Sequence, residues 1–261
     1  MSSVDGRFTN RWQMTIGDFS QQADAYGSAR PGYPVGIVDQ LLSDARVNPG
    51  DSVVDFGAGT GIFTRLLLDR HLQVAAVEPN LSMRAQANCD RATWIEGSFE
   101  RCPLADESQS WAVAAQAFHW ADPATALPEI HRVLRPQSVF SVLWNNRSVE
   151  DCAAVKWTED AIRRHVPEFA EAYRQRSWNC VLESTGHFRM LATHVKQHVV
   201  SMSRDRYLAL WRSHNRLNNI AGPERFDRFF IELSDYLDSN QLEQIDVVYN
   251  CEAWSAQRID A

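Results

Sequence analysis

Short apolar runs and amphipathic stretches alternate through the first 147 residues of the chain. "SVVDF" (52–56), "QVAAVE" (73–78), "ATWIE" (92–96), "WAVAAQAF" (111–118) and "VFSVLWN" (139–145) predict strands. Most are apolar nearly throughout, which is the pattern of strands buried on both faces. Between them, polar and apolar positions follow helical spacing over about 34–46, 61–70, 81–90 and 123–134. That alternation predicts an α/β fold: a mostly parallel, Rossmann-like sheet with helices on both faces.

Beyond about residue 147 the pattern turns helical, in "EDCAAVKWTEDAIRRHV", "SRDRYLALWRSHNRL" and "GPERFDRFFIELSDYL". Two further strands are expected at 192–202 and 245–254, extending the sheet at one edge. We expect one domain over 1–261, with a core at 19–147. Residues 148–261 then supply a helical cap and the last two edge strands. No internal repeat or low-complexity tract interrupts the chain.

Composition narrows the function classes. The 261 residues carry a formal charge of -7, from 33 acidic and 26 basic side chains. A net acidic surface repels phosphate backbones, and no Lys/Arg stripe with interleaved aromatics is present, so nucleic acid is not an expected partner. No stretch approaches the ~20 apolar residues of a membrane span. The opening "MSSVDGRFTNRWQMTIGDF" has no signal-peptide core, so a cytoplasmic location is expected and a membrane is not. Five scattered cysteines without a CxxC pair point to reduced thiols and to no metal.

The candidate chemistry begins where the first strand stops. "VVDFGAGTG" ends an apolar run at Asp55-Phe56 and alternates Gly57, Gly59 and Gly61 into a helix. Ligands of open parallel sheets bind beyond the carboxyl ends of the strands. Glycines let a ligand approach the backbone there. The spacing is Gly-x-Gly-x-Gly, not the Gly-x-Gly-x-x-Gly that seats a pyrophosphate. The second strand ends at Glu78, about 20 residues beyond the loop, where a carboxylate accepts both hydroxyls of a ribose. Loop and carboxylate together indicate an adenosine-type nucleoside without specifying which.

"VVDFGAGTG", "VEPN", "GSFERCPLAD", "AQAFHWADPATALPEIHRVLRP" and "VLWNNR", in that order, resemble a class I S-adenosylmethionine-dependent methyltransferase, in its small-molecule branch called methyltransferase type 11. "ADAYGSARPGYP" (23–34) resembles the segment that precedes the fold in that branch. The resemblance implies a seven-stranded sheet with one antiparallel edge strand. It implies S-adenosyl-L-methionine as cofactor and S-adenosyl-L-homocysteine as product. It assigns Gly57, Ala58, Gly59, Thr60 and Gly61 to the methionine part and ribose. Glu78 takes the ribose hydroxyls, Pro79 and Asn80 the turn, and Met83 the adenine. Gly97, Ser98 and Phe99 contact the adenine after the third strand. Gln116, Ala117 and Trp120 stand between cofactor and substrate, and Tyr26 and Arg30 close over the cofactor.

The chemistry of these residues suits that ligand. Asp55 can take an ammonium, Arg30 a carboxylate, Phe99 or Met83 an adenine face, and Tyr26 or Trp120 a sulfonium. Three positions depart from the pattern. Ser98-Phe99-Glu100 replaces an acidic adenine contact, Ala112 replaces an acidic residue in the fourth strand, and "RPQS" (135–138) replaces a Pro-Gly-Gly turn.

Methyl transfer to a small-molecule acceptor is a direct displacement, so alignment dominates. His119 in "QAFHWAD" is the candidate base if the acceptor must lose a proton, its alternative being a packing role. His194 and His198 share one face of a strand, and His214 lies on a cap helix. The acceptor atom and the oligomeric state are left open. Two alternatives stand beside this reading: an NAD-dependent oxidoreductase, and a catalytically inactive cofactor-binding protein.

Overall fold

The computed structural model describes residues 30–169 and 176–260. The expected parallel strands form: β1 (Ser52–Phe56), β2 (Gln73–Val77), β3 (Thr93–Ile95), β4 (Gln109–Ala115) and β5 (Leu134–Arg147). β6 (Phe188–Ser203) and β7 (Gln244–Arg258) complete a seven-stranded sheet in the order β3-β2-β1-β4-β5-β7-β6. β7 runs antiparallel to both neighbours, β5 and β6. The antiparallel strand therefore lies inside the sheet, and the edge beyond it is β6. The resemblance had implied it at the edge.

Alternation along each strand sorts the side chains onto two faces. Val53, Trp111, Val113, Val139 and Leu143 pack with Ile37, Val38 and Leu41 of α1 (Val35–Ala45) and Phe63 and Leu67 of α2 (Ile62–Leu68). Val54, Phe56, Ala112, Ala114, Phe140 and Val142 pack with Ala126, Leu127, Ile130 and Val133 of α4 (Pro123–Val133). Ala112, where the family pattern has an acid, is a buried apolar member of this layer. A buried polar chain runs across the strands on the α1–α2 face. Trp111 Nε1 donates to Ser141 Oγ at 3.1 Å, which lies 3.1 Å from Ser255 Oγ on β7. It fixes how β7 aligns with β5.

A third apolar cluster joins α5 (Ala153–His165), α7 (Arg204–Arg212) and α8 (Asn215–Ser239) over the end of β6 and the start of β7. α3 (Leu81–Ala85) and α6 (Trp178–Glu183) are short. α8 kinks at Gly222, whose φ of 70° and ψ of 166° are not helical, just before Pro223. Among the described residues no helix is long and apolar enough to cross a membrane, and no cluster of three His, Cys, Asp or Glu could hold a metal.

Candidate functional site

The exits of β1, β2 and β4 converge on the glycine loop. Gly57 has φ 67°, and its N–H donates to Val77 O at 2.8 Å. A Cβ placed on Gly57 would stand 2.5 Å from Ala117 Cβ, so the loops after β1 and β4 touch here. Gly59 has φ 58°, and a Cβ there would meet nothing within 4 Å among the described residues. Its N–H donates to Glu78 Oε2 at 2.9 Å, while Glu78 Oε1 accepts from Asn80 N at 2.9 Å. Glu78, 8% exposed, thus ties the loop to the tip of β2. A carboxylate has about four acceptor positions, so capacity remains for two more donors. Thr60 is also buried, and its hydroxyl makes no hydrogen bond among the described residues.

Asp55 sits beneath this loop, 1% exposed. Its Oδ2 accepts from Thr64 Oγ1 of α2 at 2.7 Å, and its Oδ1 has no hydrogen-bond partner among the described residues. Burial pushes its carboxyl up to about 7, against the pull of the Thr64 hydrogen bond and with a further push from the charge of Glu78. Burial also raises Glu78 above the usual carboxylate range, against the hydrogen bonds from Asn80 and Gly59. Two desolvated carboxylates thus stand near one another at the glycine loop, and one of them holds Gly59 N. Such an arrangement favours a ligand that brings a positive charge and hydroxyl donors.

The remaining exits shape the walls. Met83 is buried on α3, where Asn80 Oδ1 caps the helix by accepting from Met83 N at 3.1 Å. Ser98 N donates to Arg101 O, and Glu100 Oε1 turns away to accept from Asp122 N at the start of α4. Phe99 packs between Phe56, stacked at 5.6 Å, and Phe118, edge-on at 5.4 Å. Its ring supports Gly57 from within the core, a packing position and not the adenine sandwich expected from sequence. Gln116 closes β4 at φ 58°, an unusual conformation for a non-glycine residue, with its N–H on Leu143 O.

His119 lies on the 3₁₀ turn Phe118–Trp120. Trp144 Nε1 donates to His119 Nδ1 at 3.3 Å. An indole only donates, so Nδ1 is the unprotonated nitrogen and Nε2 of the neutral ring carries the hydrogen. Trp120 is 44% exposed beside His119.

A methyltransferase-domain family profile matches residues 54–142, the stretch holding Asp55, the glycine loop, Glu78 and His119. The chain is 40% identical over 131 residues to an uncharacterized methyltransferase of Mycobacterium tuberculosis, covering 49% of this chain and 52% of that protein. It is 31% identical over 150 residues to an uncharacterized methyltransferase-like protein of Schizosaccharomyces pombe, covering 56% and 57%. Residues 54–142 are thus similar in sequence to methyltransferase domains. The chain spans about half the length of these curated relatives.

Solved structures of methyltransferases share the fold. One from Anaeromyxobacter dehalogenans, assigned as type II, superposes with a TM-score of 0.64 at 21% identity, over 87% of this chain and 97% of that one. A phosphoethanolamine N-methyltransferase of Haemonchus contortus, solved with phosphomonomethylethanolamine and S-adenosylhomocysteine, gives a TM-score of 0.52 at 15% identity, over 92% and 58%.

The fold gathers Asp55, Gly57 to Gly61, Glu78, Pro79, Met83, Gln116 and Ala117 around one loop. Tyr26 lies outside the described residues. Arg30 lies toward the other end of the sheet's carboxyl edge, where its carbonyl accepts from Arg206 Nη2 at 3.4 Å. His194 and His198 do not meet: the first contacts Asp44 at 2.7 Å, the second Asn145 at 2.8 Å. His214 caps α8, with Nδ1 accepting from Leu217 N at 3.4 Å. Sequence reading missed Thr64. Its signal is a hydroxyl one turn into the helix that follows the glycines, within reach of the acid that precedes them.

Proposed function

We propose that the protein transfers a methyl group from S-adenosylmethionine to a small-molecule acceptor. The observation that carries this reading is the buried Asp55–Glu78 pair at the glycine loop, with Glu78 on Gly59 N and Oδ1 of Asp55 without a hydrogen-bond partner among the described residues. When bound, S-adenosylmethionine supplies a methyl group on a sulfonium, ready for displacement. Its donor set fits the residues present. The Oδ1 of Asp55 accepts from an ammonium, the spare lone pairs of Glu78 accept from ribose hydroxyls, and the space at Gly59 admits a ligand to the backbone. Met83 would cover the adenine. The acidic net charge and the absence of a basic stripe favour a small acceptor over nucleic acid.

His119 acts here as a positioning residue, held by Trp144. His119→Gln, whose amide oxygen can also accept from the indole, should keep kcat within about tenfold. Loss of a general base would lower it by roughly 10²–10⁴. Initial rates on the acceptor separate the two, and a loss in the larger range would restore His119 as the base.

The cofactor is tested by thermal unfolding with S-adenosylmethionine, S-adenosylhomocysteine and NAD. A ligand at about 100 times its dissociation constant stabilises by roughly 2.7 kcal/mol. At this size each kcal/mol moves Tm by about 2–4 °C. The sulfur nucleosides should raise Tm, and Glu78→Ala should abolish most of the rise. A rise with NAD alone would overturn the reading.

A further inference from the structure

β6 is the last strand of the sheet and pairs, among the described residues, with β7 alone. Such a strand presents a row of backbone N–H and C=O groups to whatever lies beyond it. The register shift between Met190 and Ala192 marks a bulge, and from Ala192 to Ser203 the pairing with β7 is regular. Proteins guard open edges with proline, short strands, bulges or outward charges. This regular stretch holds no proline, and its only Lys, Arg, Asp or Glu is Lys196. Lys196 is turned over α1: its Cε lies 3.7 Å from where a Cβ on Gly36 would stand.

The two faces of β6 differ. On the α1 side, His194 Nε2 lies 2.7 Å from Asp44 Oδ2, and His198 Nε2 lies 2.8 Å from Asn145 Oδ1. The other face is shared, through the register, with Trp144 and Trp254. There Thr193, Val195, Gln197, Val199 and Ser201 are all exposed. Val195 is 64% and Val199 59% exposed. Bare valines beside an open edge gain most from a neighbouring strand that sets apolar side chains opposite them.

This strand is its own complement. Laid antiparallel on a second β6 about Gln197, Val195 stands opposite Val199 and Thr193 opposite Ser201, each pair occurring twice. On the α1 face, Lys196 stands opposite His198 and His194 opposite Val200. Burial holds the His198 pKa below its usual value, so the ring facing Lys196 is uncharged at neutral pH and no like charges meet. Arg189 and Asp205 each lie eight positions from Gln197, which brings opposite charges to both ends of the pairing. The Asp205 side chain is 93% exposed.

We propose that β6 pairs antiparallel with β6 of a second copy about a two-fold axis at Gln197, joining two seven-stranded sheets across a homodimer. A two-fold contact is isologous, so the strand left open in one copy is closed by the same strand of the other. The pairing is independent of the methyl-transfer reading.

Sedimentation equilibrium of the full chain tests it. Dimer should prevail at about 100 μM and give way to monomer on dilution. Val195→Lys with Val199→Lys sets like charges opposite one another across the axis and should weaken association about tenfold or more. Val195→Glu with Val199→Glu should do the same. An equal mixture of the two double variants should dimerise again, because each lysine then faces a glutamate, and this also reports that both fold. In a Cys180→Ser background, which removes the exposed thiol, Gln197→Cys should form a disulfide between copies. Opposed residues of antiparallel strands have Cα atoms about 4.5–5.5 Å apart, within disulfide reach. Thr193→Cys should form none, its two copies lying roughly 27 Å apart along the strands. A chain that stays monomeric at about 100 μM would overturn the pairing. So would a dimer that survives both lysines, or one that crosslinks through Thr193→Cys and not through Gln197→Cys.

Discussion

Gly57→Ala should lower stability by about 2–5 kcal/mol and abolish S-adenosylhomocysteine binding. Two effects add. A left-handed backbone at φ 67° costs a residue with a Cβ roughly 1–2 kcal/mol. The new carbon would stand 2.5 Å from Ala117 Cβ and 3.3 Å from Phe99 Cζ, and overpacking of that kind costs about 1–3 kcal/mol more. Ala117→Gly in the same chain should recover part of the loss, because it removes the carbon that is struck. Gly59→Ala should behave differently. It carries the conformational cost of about 1–2 kcal/mol but no clash, so it should fold and still lose ligand, because its Cβ fills the open side of the loop. Urea unfolding and ligand titration on the variants check this. A Gly57→Ala protein within about 1 kcal/mol of wild type would show that the exits of β1 and β4 are not packed as described.

Asp55→Asn should remove the pH response that Asp55 gives to both stability and binding. The folded-state pKa of Asp55 is about 7, raised from 3.8 mainly by burial. Between these values the folded protein holds a proton that the unfolded chain has released. Its contribution to stability therefore falls as pH rises from about 4 to about 7, and it levels off above that. The asparagine variant should lose this slope while keeping an oxygen for Thr64. Ligand binding runs the other way. An ammonium stabilises the ionised carboxylate, so wild-type affinity for S-adenosylhomocysteine should rise between pH 6 and 8. At pH 8 the variant should bind about ten- to a hundredfold more weakly, the range expected for a lost hydrogen bond to a charged group. At pH 6 the gap should narrow, because wild-type Asp55 is then mostly neutral. Equal affinities at pH 8 would remove Asp55 from the site.

Much of this was legible in the chain because local chemistry and fold agree. β1 occupies 52–56 as read, since an apolar run there meets a glycine that must turn. The helix expected at 81–90 ends at Ala85: beyond it Cys89 is buried against Gly61, and its carbonyl accepts from Trp94 Nε1. The strand expected at 111–118 stops at Ala115, because Gln116 takes a left-handed turn that no apolar pattern announces. At "RPQS", Gln137 adopts φ 59°, the left-handed conformation that the expected Pro-Gly-Gly turn would give to glycine. β6 and β7 run longer than expected because they pair with each other along their whole length.

The site was legible in its near-sequence parts. The glycine loop and Asp55 lie on one continuous segment, and Glu78 ends the next strand. Phe99 was misread because an aromatic after a strand suits a ligand face and a core equally well, and only packing decides.

The most direct measurement is calorimetric titration of S-adenosylhomocysteine at pH 7, in two buffers of different ionisation enthalpy, with wild type and Asp55→Asn. Binding an ammonium against a carboxyl that titrates near 7 should release about half a proton in wild type and almost none in the variant. No binding, or binding with equal proton release in both proteins, would contradict the account of the site.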